Sequence, residues 1–131
     1  MDIQISVRNL VEFIFREGDI DNRHAASPDA MQDGSRIHRM IQKRMGLEYE
    51  AEVPLRYIVP YENYQIQIEG RADGVIHREN GQVIVDEIKG TYQELKHIRE
   101  PKKVHLMQAL CYAFIVAEKE VLREIGVRMT D

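Results

Sequence analysis

Hydrophobic positions recur at two periods along the chain, and the change from one to the other divides it. Behind Ser6, a natural N-cap, Val7, Leu10, Val11, Ile14 and Phe15 recur at helical spacing, and Gly18 closes the helix. Pro28 can open a second helix that runs to about Met45 and stops at Gly46. Met31, Ile37, Met40 and Ile41 form its apolar side; Arg36, Arg39 and Lys43 share another face. From residue 49 the period becomes two. Ala51, Val53 and Leu55 alternate in a strand over 49–59, and Pro54 suits that strand to a sheet edge. Residues 60–63 read as a turn, and residues 64–77 alternate again. Gln65, Gln67, Glu69, Arg71 and Asp73 make one face of this second strand. Ile66, Ile68, Gly70, Ala72, Gly74 and Ile76 make the other, and the small residues at 70, 72 and 74 leave room for a close neighbour. Asn80-Gly81 predicts a hairpin, and Val83 to Lys89 is apolar enough on both faces to return as a central strand.

Residues 90–103 form a polar connection rich in Lys and Arg. Pro101 suits the first turn of a third helix to about 121, with Val104, Met107, Cys111, Phe114 and Val121 as its core stripe. After Gly126, Val127 and Met129 begin another alternation that the last residue cuts short, as expected of a fragment of a longer protein. The order helix, helix, three strands, helix, strand predicts an α+β domain with a small mixed β-sheet flanked by helices.

The length of 131 residues fits one domain over 1–131. Hydrophobic residues at 44% and charged residues at 31% exclude a disordered chain. There is no run of about 18 apolar residues, so no membrane partner is expected. The opening Met-Asp-Ile-Gln lacks the basic-then-apolar pattern of a secretion leader. A single cysteine, Cys111, excludes an internal disulfide, a four-cysteine zinc site and a cysteine-held iron–sulfur cluster. A cytoplasmic location is expected. The net charge of −4 argues against strong free-standing nucleic-acid binding.

The hairpin carries the chemistry. Asp73 lies on the polar face of its strand, and Glu87 and Lys89 share a face of the next. Two carboxylates about 4–5 Å apart across a sheet repel unless a cation lies between them. Such hard oxygen donors suit Mg²⁺ or Mn²⁺, and a lysine beside them can hold a water or offset charge on a phosphoryl transition state. The register decides whether this site forms. With a two-residue turn at Asn80-Gly81, Asp73 faces Ile88 and Glu87 pairs with Gly74. With a three-residue loop Glu79-Asn80-Gly81, Gly81 left-handed, Asp73 comes opposite Glu87. A bulge within a strand restores the same phase. The three-residue loop or a bulge is the expectation.

Gly70-Arg-Ala-Asp73 followed by Val85-Asp-Glu87-Ile-Lys89 resembles the PD-(D/E)XK nuclease superfamily. Gly34-Ser-Arg-Ile-His38 and Gln108-Ala-Leu-Cys-Tyr112, in the same order, resemble its RecB-type branch. The Ile5-Ser-Val-Arg-Asn-Leu and Ala51-Glu-Val-Pro-Leu55 stretches are similar to the N-terminal nuclease domain of some bacterial DinG-like helicases. The resemblance implies a restriction-endonuclease-like core. It implies that His38, Asp73 and Glu87, with the Ile88 carbonyl, bind the metal, that Lys89 is the catalytic lysine, and that Gln108 and Tyr112 contact DNA and support that lysine. It departs from the superfamily in having Ala72 where a proline precedes the first Asp. It also lacks the cluster-binding cysteines of CRISPR-associated and AddB-like relatives, so no iron–sulfur cluster is expected.

The function so implied is hydrolysis of phosphodiester bonds in DNA, as an exonuclease or flap nuclease on single strands in repair or recombination. Arg36, Arg39 and Lys43, and His97, Arg99, Lys102, Lys103 and His105, form local basic patches that can flank the acidic pocket as phosphate contacts. Tethering to a helicase domain in the same polypeptide would offset weak intrinsic binding. The alternative is a catalytically silent DNA-binding or interface module of a helicase. Glu69 and Asp86 read as structural or solvated.

Overall fold

The computed structural model describes residues 2–16, 36, 39–46, 48–88 and 101–130. These form β1 (Asp2–Ser6), α1 (Val7–Arg16), β2 (Tyr49–Pro60), β3 (Gln65–His77), β4 (Val83–Ile88), α2 (Pro101–Glu120) and β5 (Gly126–Thr130). Residues 39–43 add a short helical segment, the described part of the helix expected over 28–45. The architecture is α+β, with a mixed five-stranded sheet and helices packed against it. Among the described residues no helix is long and apolar enough to cross a membrane.

Local chemistry sets most element boundaries. Ser6 Oγ accepts the Asn9 N–H at 3.0 Å and caps α1 as expected. The Tyr61 N–H donates to the Tyr64 carbonyl at 2.8 Å and closes the turn between β2 and β3. The Arg78 N–H donates to Gln82 O and the Gly81 N–H to Arg78 O, at 2.9 and 3.0 Å. Gly81 has φ +89°, a value a side chain would strain. Glu79-Asn80-Gly81 is therefore the three-residue loop, and Gly74 pairs with Asp86 in the register that brings Asp73 opposite Glu87. β1 was not among the expected elements. Its Ile3 and Ile5 alternate over too few residues to stand out, and its conformation comes from parallel pairing with β3.

β3 is the axis of the sheet. β2 runs antiparallel along one edge from Tyr49↔Ile76 to Pro60↔Gln65. A strand has two edges, so β1 and β4 must share the other. β1 takes Gln65–Glu69 in parallel, and β4 takes Gly74–His77 antiparallel. Between them Gly70 to Asp73 has no ladder partner on that edge, and the sheet forks there. β5 extends the sheet parallel to β4 from Ile84↔Gly126 to Ile88↔Thr130, so β4 is central as expected.

The alternation along β3 slips by one residue at the end of the fork, between Ala72 and Val75. Ala72 and Val75 both lie in the core. Gly70 sits under Tyr112 of α2, yet Gly74 sits under Tyr49, whose hydroxyl reaches Asp86. On β2 the slip falls at Glu52, with φ +55° and no paired contact to Asp73, although its neighbours pair in register. Gln42 Nε2 donates to the Asp73 carbonyl at 2.8 Å and to Glu52 Oε1 at 3.0 Å, so the short helical segment ties the irregularity down. This corrects the sequence reading of the polar face. Glu69 and Arg71 are exposed, but Asp73 turns inward and is 9% exposed.

α1 and α2 cover one face of the sheet. Val7 and Val11 of α1 meet Val104, Ala113 and Val116 of α2 above Val75 and Val85. The expected stripe of α2 needs correction. Phe114 and Val121 are exposed, and Phe114 stands edge-on to Tyr57 with ring centroids 5.1 Å apart. The buried face runs instead through Val104, His105, Gln108, Ala109 and Tyr112. It carries polar groups inward because it lies over the fork.

Candidate functional site

The fork brings the two carboxylates together. As β4 leaves β3, the Ile88 N–H loses its ladder acceptor and donates at 2.7 Å to Asp73 Oδ2. The side chain thus replaces a main-chain carbonyl, and Asp73 is fixed against β4. Glu87, 6% exposed, points to the helix-covered side, where its Oε1 lies 3.4 Å from His105 Nδ1. His105 is itself buried on α2. Burial pushes the Glu87 carboxyl from its ordinary 4.5 up to about 9, and the negative charges of Asp73 and then Asp86 push the same way. The Arg8 guanidinium at the start of α1 opposes them.

The roof of the site comes from α2. Tyr112 is buried against the Gly70 backbone, where an added Cβ would lie 2.6 Å from its Cε1. Burial, and then the Glu87 charge, raise its hydroxyl well above the ordinary tyrosine range, while a hydrogen bond from the Arg71 main chain lowers it. Gln108, one turn earlier, is also buried on this face. On α1, Glu12 is 3% exposed, and its Oε1 accepts from Arg8 Nε at 3.3 Å.

The opposite face of β4 is built differently. Asp86 is fully buried, and its Oδ2 accepts the Tyr49 hydroxyl at 2.7 Å. Its Oδ1 accepts Arg128 Nε at 3.1 Å and the Thr130 hydroxyl. Arg128 also reaches Met45 Sδ at 3.3 Å, so the network joins β2, β4, β5 and the residue 39–45 stretch. Asp86 is structural, as the sequence suggested.

Of the expected site residues, Asp73, Glu87 and Ile88 come together. Lys89 and His38 lie outside the described residues, as does the Lys102 side chain. Arg36, Arg39 and Lys103 are exposed. Tyr112 lies near enough to the carboxylates to feel their charges, and Gln108 is buried on the same face of α2; both are 6% exposed and do not form an open rim. His105 leaves the solvated basic patch to which the sequence assigned it. Its place follows from helical spacing, since 105, 108 and 112 fall on one face. Arg8 and Glu12 were not singled out by the sequence reading, because α1 looked like a plain amphipathic helix.

Two carboxylates buried close enough to raise one another's charge cost are an arrangement a hard divalent ion relieves, so Mg²⁺ or Mn²⁺ fits the donors present. Among the described residues no three His, Cys, Asp or Glu side chains close a metal shell; the expected third ligand, His38, is outside them. A two-carboxylate set is sufficient for Mg²⁺, which keeps several waters and takes substrate phosphates as further ligands.

No known protein-family profile matches the chain. No curated protein matches it either. Among solved structures, the crystal structure of SSO0001 matches with a TM-score of 0.54 and 25% identity, covering 87% of this chain and 57% of that one. The chain thus spans a little over half the length of that protein. The likeness supports the mixed α+β architecture.

Proposed function

We propose that the chain is a metal-dependent DNA nuclease domain of the RecB type, with a PD-(D/E)XK restriction-endonuclease-like core. The observation that carries the reading is the fork: Asp73, held by the Ile88 amide, stands opposite Glu87 with its raised carboxyl. The mutual cost of two buried carboxyl groups at one place supports the reading of a cation site. A bound Mg²⁺ or Mn²⁺ would polarise the phosphate and lower the pKa of a coordinated water. Asp73 and Glu87 would hold it, with the Ile88 carbonyl and His38 as the further ligands that the family resemblance implies.

The chain's own groups do the rest. Asp73 is oriented by the Ile88 N–H, which fixes its carboxylate beside Glu87. Burial of Glu87 under Tyr112 and His105 lowers the local dielectric and strengthens every charge interaction on a phosphodiester brought there. Lys89 follows Ile88 directly and is assigned the proton or charge management of the attack. Water adds to phosphorus, the bridging P–O bond breaks, and the products are a phosphomonoester and a free hydroxyl. Single-stranded DNA ends or flaps are the proposed substrate, and a helicase domain in the same polypeptide the proposed partner.

The test is degradation of end-labelled single-stranded DNA in low salt with Mn²⁺. Loss of cleavage with EDTA and in Lys89→Ala is expected, and the product ladder separates end-directed from internal cutting. A folded protein that binds the DNA without cutting it would instead be the silent binding module of a helicase.

A further inference from the structure

A second concavity lies alongside the fork, on the β1 side. It is a cavity of about 910 Å³ open to solvent, and its lining includes Ser6, Arg56, Glu69, Gly70, Arg71 and Lys119. Three cations therefore face one carboxylate. All four charged side chains are exposed. Among the described residues none of Arg56, Arg71 and Lys119 takes part in an ion pair, although Arg56 is the cross-strand neighbour of Glu69. Cations gathered unneutralised in a concave wall focus a positive potential there, against a chain whose net charge is −4.

The cavity is one ring away from the carboxylates. Its floor, Gly70, touches Tyr112, and the Arg71 main chain hydrogen-bonds the Tyr112 hydroxyl. Tyr112 in turn senses the charges of Glu87 and Asp73. Arg71 stands two residues before Asp73 on the same strand. A single phosphate fills only a few water volumes of about 30 Å³ each, far less than this cavity. A run of several phosphates matches its size better, and its Gly70 floor and Arg71 main chain meet the Tyr112 ring that lies near the carboxylates.

We propose that this cavity binds the sugar–phosphate backbone of a single-stranded nucleic acid beside the bond to be cut, with Arg56, Arg71 and Lys119 as its phosphate contacts. Arginine forks suit non-bridging phosphate oxygens, and Lys119 adds a point charge from α2. Glu69 limits the attraction and so favours release of the strand. The proposal deepens the nuclease reading by naming its strand-binding surface, and it does not need the metal.

The experiment measures fluorescence anisotropy of a short labelled oligothymidine in EDTA over a salt series. Arg56→Ala, Arg71→Ala and Lys119→Ala are each expected to weaken binding about five- to tenfold and to flatten the log–log salt slope by about 0.7 per lost contact. Glu69→Gln is expected to tighten binding, a gain that misfolding cannot produce. Arg78→Ala, in the hairpin loop, is expected to bind as wild type. Wild-type affinity and slope in the three cation variants would overturn the proposal. So would absence of binding by the wild type, or equal affinity for inorganic phosphate. Wild-type cleavage with Mn²⁺ is measured in parallel. Binding as expected without cleavage would remove the nuclease reading and keep the cavity; cleavage with unaltered binding in the variants would do the reverse.

Discussion

Asp86 and Glu87 are adjacent, both buried, and face opposite sides of β4, yet their surroundings differ in kind. Asp86 receives three donors from three other residues, and the network ties four parts of the chain together. Glu87 has one histidine nitrogen at 3.4 Å, two acidic neighbours, and a carboxyl pushed up to about 9. The surroundings of Asp86 offset its charge, and those of Glu87 disfavour one. The contrast separates the part of the strand that keeps the sheet together from the part to which the nuclease proposal assigns the chemistry.

The largest effect that can break this comparison is on activity. Glu87→Gln and Asp73→Asn keep shape and remove charge, and each is expected to lower Mn²⁺-dependent cleavage of single-stranded DNA by about 10³-fold. Asp86→Asn should keep most of its activity at temperatures where it is folded. Equal losses at 86 and 87, measured on samples with matched circular dichroism, would erase the distinction.

Stability should invert the order. Asp86→Ala leaves Arg128, Tyr49 and Thr130 without their acceptor and is expected to destabilise by about 3 kcal/mol in urea unfolding. Glu87→Gln should be neutral or stabilising without metal. Its sign follows from linkage. The folded carboxyl titrates near 9 and the unfolded one near 4.5, so between these values the folded state holds the extra proton. Wild-type stability without metal should therefore fall as pH rises through that window. At about 1.36 kcal/mol per unit, the loss is up to about 3 kcal/mol at pH 7. Glu87→Gln should flatten the slope. Mn²⁺ at about a hundred times its Kd should restore about 2.7 kcal/mol to the wild type and nothing to the variant.

How much of this was legible in the sequence depends on range. The hairpin was, because Asn80-Gly81 marks it locally; its phase stayed open between two loops, and the three-residue one, expected because it pairs Asp73 with Glu87, is the one formed. Ser6 as a cap and β4 as the central strand were legible for similar reasons. The inward turn of Asp73 was not. It depends on a one-residue slip at Glu52 and on Gln42, contacts that no alternation pattern encodes. The glycines at 70 and 74 were read as one smooth face, yet they seat Tyr112 and Tyr49 on opposite sides. His105 read as part of a basic run because charge was counted along the chain. Its burial is set by where α2 crosses the fork. β1 is stabilised by its parallel neighbour more than by its own five residues.

The smallest expected effect is the most discriminating about how far the two faces are coupled. Tyr49→Phe keeps the ring over Gly74, where an added Cβ would sit 1.9 Å from its ζ carbon, and removes only the hydroxyl at 2.7 Å from Asp86. Asp86 retains Arg128 and Thr130, so the loss should be about 1 kcal/mol in urea unfolding. If the faces are independent, the pH profile of cleavage should not move. Asp86 is nevertheless among the charges that raise the Glu87 carboxyl. One fewer hydrogen bond to Asp86 leaves its negative charge less well offset and should raise Glu87 slightly further. A shift of the acidic limb of the cleavage profile toward higher pH in Tyr49→Phe would show that the structural face tunes the chemical one through the strand. An unmoved limb would confine Asp86 to the fold.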